Sequence, residues 1–188
     1  MMRLLGLLLR STRGVAAVEM ALVTPLLLII MMGSFELGNY FMNEHRLVKA
    51  ARDGARFAGR QSFTNFSCPS GTIPGGTVVS DTQTVVRTGL LSGNSLLPNW
   101  LAANVENSCP PSAATKSCIS VTFVCKADLS GGSSNPPSGI YKPLSGSAYA
   151  PVVSVSITVP YTPVLASFGF RGVGYNLNAR QQSAVMGL

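Results

Sequence analysis

Charge is scarce in this sequence. Of its 188 residues 11% are Asp, Glu, Lys or Arg, the acids number 7, and there is 1 histidine. A disordered polyelectrolyte is excluded, because such chains are highly charged and poor in apolar residues. So few acids and a lone His45 leave little for general acid–base chemistry or a metal cage, so neither an enzyme nor a metal site is expected. No CxxC pair, nucleophile–base pair, phosphate-cradling glycine loop or aromatic–basic platform occurs either, and neither a cofactor nor nucleic acid is expected as a partner. What the chain has in quantity is apolar surface, 46% of residues. That excess over charge points to a membrane-linked or exported protein.

The net charge of +7 is unevenly placed. Residues 1–14 hold Arg3, Arg10 and Arg13 and no acid, residues 15–35 hold only Glu19, and the stretch 36–60 is again basic. Between these basic flanks Met20–Phe35 reads MALVTPLLLIIMMGSF without a charge. Counted from Val15, the run is long enough to cross a bilayer as a helix, interrupted only by Glu19. Pro25 removes one backbone donor within it, which membrane helices tolerate. A cleavable secretory signal fits poorly, since no small-x-small site follows before Phe35-Glu36-Leu37. A plain anchor leaves Glu19 unexplained, although an ionisable group inside a span is costly and usually functional.

The position of Glu19 accounts for it. Arg13-Gly14 is followed by Val-Ala-Ala-Val and then Glu19, the fifth residue after the glycine. Basic residues, a glycine, four small or apolar residues, a glutamate and an apolar helix resemble the prepilin processing pattern of type IV pilins. The whole stretch from Gly14 to Arg60 is similar to the TadE-like family, minor pseudopilins of Flp (Tad) pili. The pattern VSVSITVPYTPVL followed by NLNARQQSAVM extends that similarity toward the carboxy terminus. The resemblance implies cleavage between Gly14 and Val15 by a membrane prepilin peptidase. It implies that the Glu19 carboxylate meets a free amine on a neighbouring subunit, where an unpaired charge in low dielectric would be expensive. The implied partners are that peptidase, other pilins and pseudopilins, the inner-membrane platform of the pilus, and the membrane itself.

Residues 36–60 keep helical spacing while becoming polar. At 100° per residue Arg46, Lys49, Arg52, Arg56 and Arg60 share one face, and Tyr40, Leu47, Ala51, Gly54, Ala55 and Ala58 the other. The small residues permit close approach of another helix or a sheet. The basic face reads as a solvated helix side or as a contact for anionic headgroups or acidic partners. A continuous helix from Val15 to Arg60 would be roughly 69 Å long. Counting basic residues on the two sides of the span does not decide its orientation: three arginines precede it, and about four basic residues follow within twenty positions. The cysteines and the processing pattern do.

Cys68, Cys109, Cys118 and Cys125 all lie beyond the apolar run, and an even number in a small exported domain favours disulfides. SCISVTFVCK, residues 117–126, alternates as a strand, so Cys118 and Cys125 point to opposite faces roughly 23 Å apart. A disulfide needs Cα atoms within about 7 Å, which excludes that pairing. Of the two remaining connectivities, Cys109–Cys118 with Cys68–Cys125 is preferred, the former closing a loop over Pro110-Pro111. Ser80-Asp-Thr-Gln83 resembles a capping box opening a short helix that includes Val85, Val86, Leu90 and Leu91 and stops near Gly93. Asp81 then serves as an N-terminal charge. PVVSVSITVPY, residues 151–161, should pair antiparallel with 117–126 across a Gly/Ser/Pro loop at 130–150, and Tyr175–Met186 forms a weaker final strand.

The expected architecture is α+β and pilin-like. It comprises a leader (1–14), a transmembrane helix (15–37), an amphipathic stem (38–60) and a disulfide-stapled extracytoplasmic domain (61–188) with a short helix and an antiparallel sheet. The protein would be single-pass in the cytoplasmic membrane with its amino terminus inside. The function implied is pseudopilin action in Tad/Flp pilus assembly, and through it tight adherence and biofilm formation. The alternative is an exported binding module on a simple membrane anchor, outside any pilus.

Overall fold

The computed structural model describes residues 14–68, 70–97, 100, 105–106, 117–127, 149–169 and 175–187. The leader up to residue 13, Cys109 and most of the Gly/Ser/Pro loop lie outside them. The elements in order are helix α1 (Val15–Gly59), a 3-10 turn (Phe63–Asn65), helix α2 (Val78–Thr88), strands β1 (Val105–Glu106), β2 (Ser117–Ala127) and β3 (Tyr149–Pro160), a second 3-10 turn (Ala166–Phe168) and strand β4 (Asn176–Ala184). Two compact units emerge, one of Met1–Tyr40 with Pro163–Arg171 and the other of Phe41–Thr162 with Gly172–Leu188.

The larger unit is built on a four-stranded sheet in the order β1-β2-β3-β4. β2 and β3 pair antiparallel from Cys118↔Thr158 to Ala127↔Tyr149, and β3 and β4 antiparallel from Val152↔Ala184 to Pro160↔Asn176. The β2–β3 pairing follows the alternation read from the sequence, and β4 forms in the weaker final segment and takes the free edge of β3. The short β1, which no periodicity signals, adds a parallel pair at Val105↔Ser117 and Glu106↔Cys118. One face of the sheet is apolar and buried, carrying Ile119, Val121, Phe123, Val153, Val155, Ile157, Val159, Leu177 and Ala179. The opposite face is hydroxyl-rich: Thr158 Oγ1 donates to Asn178 Oδ1 at 2.8 Å, and Arg180 Nε donates to Ser154 Oγ at 3.0 Å. Such alternation lets one face of an antiparallel sheet cover a core while the other stays polar, with Ser154 and Cys118 on that second face themselves buried.

The small-residue stripe of α1 closes this core. Leu47, Ala50, Ala51, Ala55 and Ala58 are buried, whereas Arg46, Lys49, Arg52, Arg56 and Arg60 are exposed. Gly54 stands directly against the Val86 side chain of α2. A Cβ at Gly59 would lie 2.8 Å from the Ala184 carbonyl oxygen and 2.6 Å from Ser183 Oγ, so β4 and the end of α1 meet backbone to backbone. Met186 N–H donates to the Gly59 carbonyl at 2.7 Å and locks that junction.

Helix α2 differs from its sequence reading at both ends. It starts at Val78 with Thr77 at the cap position and no side-chain cap. Ser80 lies inside the helix, its hydroxyl donating back to the Thr77 carbonyl at 2.9 Å. Gln83 Nε2 reaches across to the Ile119 carbonyl at 3.0 Å instead of returning to a cap. The reason is burial: Val78, Thr82, Val85 and Val86 form a stripe spaced four, three and one residues apart, and burying Val78 outweighs the capping preference. The far end closes early because Gly89, at φ 78°, takes the left-handed cap and donates to the Val85 carbonyl. Leu90 and Leu91 therefore fall outside the helix and are exposed.

Cys68 and Cys125 are joined, with Cα atoms 5.7 Å apart. Beside them the Phe66 ring meets Phe123 edge-on at 5.3 Å, and Phe123 N–H donates to the Thr72 carbonyl at 2.8 Å, so the segment after α1 is pinned across β2. Cys118 is fully buried and also disulfide-bonded.

Candidate functional site

Apart from the cysteines, the residues singled out by sequence lie on α1 or directly beside it. Gly14 immediately precedes it, and its carbonyl accepts the Val18 amide at 3.1 Å, so the Gly14–Val15 peptide bond sits at the first turn of the helix. Glu19 lies one turn in. It is exposed among Val15, Val18, Met20 and Leu22, all of which are also exposed. From there to Phe35 nearly every large apolar side chain faces outward, including Leu26, Leu27, Ile29, Ile30 and Met31. Among the described residues, this is one helix long and apolar enough to cross a membrane.

Local hydrogen bonding makes the stretch suitable for an apolar medium. The two hydroxyl residues within it turn their donors inward: Thr24 Oγ1 donates to the Met20 carbonyl at 2.6 Å and Ser34 Oγ to the Ile30 carbonyl at 2.8 Å. Satisfying polar groups within the helix avoids the cost of leaving them bare in hydrocarbon. Pro25 lies within the helix and lacks the N–H that its position would otherwise donate to the fourth residue before it.

Glu36 was not singled out by its sequence, and it is the most constrained acid of the helix. It is 9% exposed, and its two carboxylate oxygens each accept a backbone N–H, Oε1 from Val164 at 3.1 Å and Oε2 from Leu165 at 3.0 Å. Hydrogen bonds to an ionised acceptor are roughly twice as strong as neutral ones. The partners lie 128 and 129 residues away and contribute no side chain, so no motif advertises them. The only available signal was an acid placed at the end of the apolar run.

Arg46, Lys49, Arg52 and Arg56 are exposed along α1, and Arg60, also exposed, directly follows it. Near its start, Arg46 and Lys49 join Ala50, Asp53, Gly89 and Leu96 around an open cavity of about 460 Å³. His45 is exposed, and Asp81 lies in the first turn of α2, where a negative charge complements the helix dipole. Of the four cysteines, Cys68 and Cys125 meet as expected, while the proposed partner of Cys118, Cys109, lies outside the described residues. No group of three or more His, Cys, Asp or Glu able to hold a metal occurs among the described residues.

Comparison with known proteins places one part of the chain. Residues 14–56 match the family model for TadE-like protein, from the glycine before α1 through most of the stem. The carboxy-terminal strands β3 and β4, despite their resemblance to that family, lie outside the matched span. No curated protein and no solved structure matches the chain.

Proposed function

We propose that this chain is a minor pseudopilin of a Tad/Flp-type pilus system, with a structural and assembly role and no catalytic one. The observation that carries the reading is the coincidence of two boundaries. The TadE-like match begins at Gly14 and α1 begins at Val15, with outward-facing apolar side chains along its first half. A prepilin peptidase would cut the Gly14–Val15 bond and leave Val15 as a free amine at the head of the helix. Glu19, exposed one turn along, would then present a carboxylate to the amine of a neighbouring pilin or pseudopilin. In a low-dielectric bundle of helices that attraction is strong, and an unpaired carboxylate is penalised, so the pair selects the axial register between subunits.

On this reading α1 holds the protein in the cytoplasmic membrane as a single pass, its amino terminus inside. The cystine-containing domain stands on the outer side, where disulfides persist. The pilus inner-membrane platform would receive the helix during assembly, and tight adherence and biofilm formation would follow from the assembled pilus.

Glu19→Ala in the native cell tests the proposal. Loss of pili with unchanged amounts of membrane-bound protein is expected. Normal piliation would instead favour an exported binding module on a simple anchor.

A further inference from the structure

The contact between Glu36 and residues 164–165 raises the question of why a carboxylate at the end of an apolar helix should hold down a loop. The loop reads PVLASFGF from residue 163 to 170, without a charge, and is followed by Arg171. Its Val164 is 57% exposed, as apolar and open as Phe35 and Leu37 on either side of Glu36. An apolar segment fixed in place yet facing outward is not contributing to a core.

Helix geometry sets the level at which this happens. The run Val15–Phe35 rises about 31 Å, close to the roughly 30 Å hydrocarbon thickness of a bilayer. Glu36 then falls where hydrocarbon gives way to headgroups. At that depth water is sparse, and irregular backbone is tolerated only when its polar groups find partners within the protein. The amides of Val164 and Leu165 find them in the two oxygens of Glu36, and the carboxylate is satisfied by the same two bonds. Each group removes the other's cost of being near lipid.

We propose that the 163–165 segment is a second membrane contact, held by Glu36 against the headgroup–acyl boundary beside the exit of the helix. Its occupant is the lipid bilayer, and the contact is continuous with the outward-facing apolar surface of α1. The inference rests on the membrane-spanning reading of α1. The contact would limit rocking of the helix at the bilayer surface and define how far the chain emerges from it.

Photocrosslinking tests both readings separately. The full chain is reconstituted in vesicles of phosphatidylethanolamine and phosphatidylglycerol, with p-benzoylphenylalanine in place of either Leu28 or Val164, both exposed positions. Lipid adducts at both positions are expected. Glu36→Ala should lower the adduct at 164 by about tenfold and leave that at 28 unchanged, since two charge-assisted bonds are lost. Glu36→Gln, which keeps one acceptor oxygen, should fall between. Lipid adducts at 28 with none at 164, or adducts at 164 to a second copy of the chain, would overturn the proposal and leave the span standing. An adduct at 164 that is indifferent to Glu36→Ala would overturn the tether. Absence of lipid adducts at both positions would remove the spanning reading and this proposal with it.

Discussion

Replacing Cys68 and Cys125 together by alanine isolates what the staple across β2 contributes. The two cysteines are separated by 57 residues, and the chain-entropy relation for a loop of that length gives about 4 kcal/mol at 25 °C. The disulfide at Cys118 already restricts the unfolded chain, so the expected loss is about 3–4 kcal/mol. Both side chains are only half-buried, and little packing is lost with their sulfurs. The native segment should stay docked, because the Phe66–Phe123 edge contact and the bond from Phe123 to Thr72 do not depend on the cystine. The effect therefore falls mainly on the unfolded state. Trp100 is fully buried and reports unfolding of this unit by fluorescence during denaturant titration of the full chain in detergent. The corresponding fall in melting temperature is on the order of 10 °C. A loss below about 1 kcal/mol, with the strand pairing intact, would refute the entropic reasoning.

The glycines of α1 should separate by position. Gly59→Ala forces a Cβ against the Ala184 carbonyl, which cannot move without shifting β4, and should lower stability by about 1–3 kcal/mol in the same titration. Gly38→Ala meets nothing within 4 Å and should be neutral or stabilising by up to about 1 kcal/mol in helix propensity. Equal effects at the two positions would contradict the packing described. Leu47→Ala, at a fully buried site, should cost about 2–5 kcal/mol by the same measurement, whereas Arg52→Ala on the exposed face should stay within about 0.5 kcal/mol of wild type.

Much of the fold was legible because its signals are periodic. The apolar run and the small-residue stripe mark α1 over nearly its whole length, and alternation marks β2, β3 and their pairing. Continuous β2 also separates Cys118 from Cys125, which leaves two connectivities, and the preferred one contains the Cys68–Cys125 bridge. Less was readable where burial competes with local chemistry. The Ser80–Gln83 spacing imitates a capping box, but Val78 buries against the core and draws the helix start forward. A two-residue strand such as β1 is too short to alternate. In the candidate site, Gly14 and Glu19 stand out because a charge pattern surrounds them. Glu36 does not, because its partners are backbone amides brought near only by the return of the chain after β3.

The central claim is that the chain becomes a pilin-like subunit by losing its first fourteen residues. Intact mass of the membrane-extracted protein, produced with and without its prepilin peptidase, tests this most directly. With the peptidase present the chain is expected to begin at Val15, and without it to be full-length. A mass that retains Met1 or Met2 while the peptidase is present and active on other pilins would contradict it.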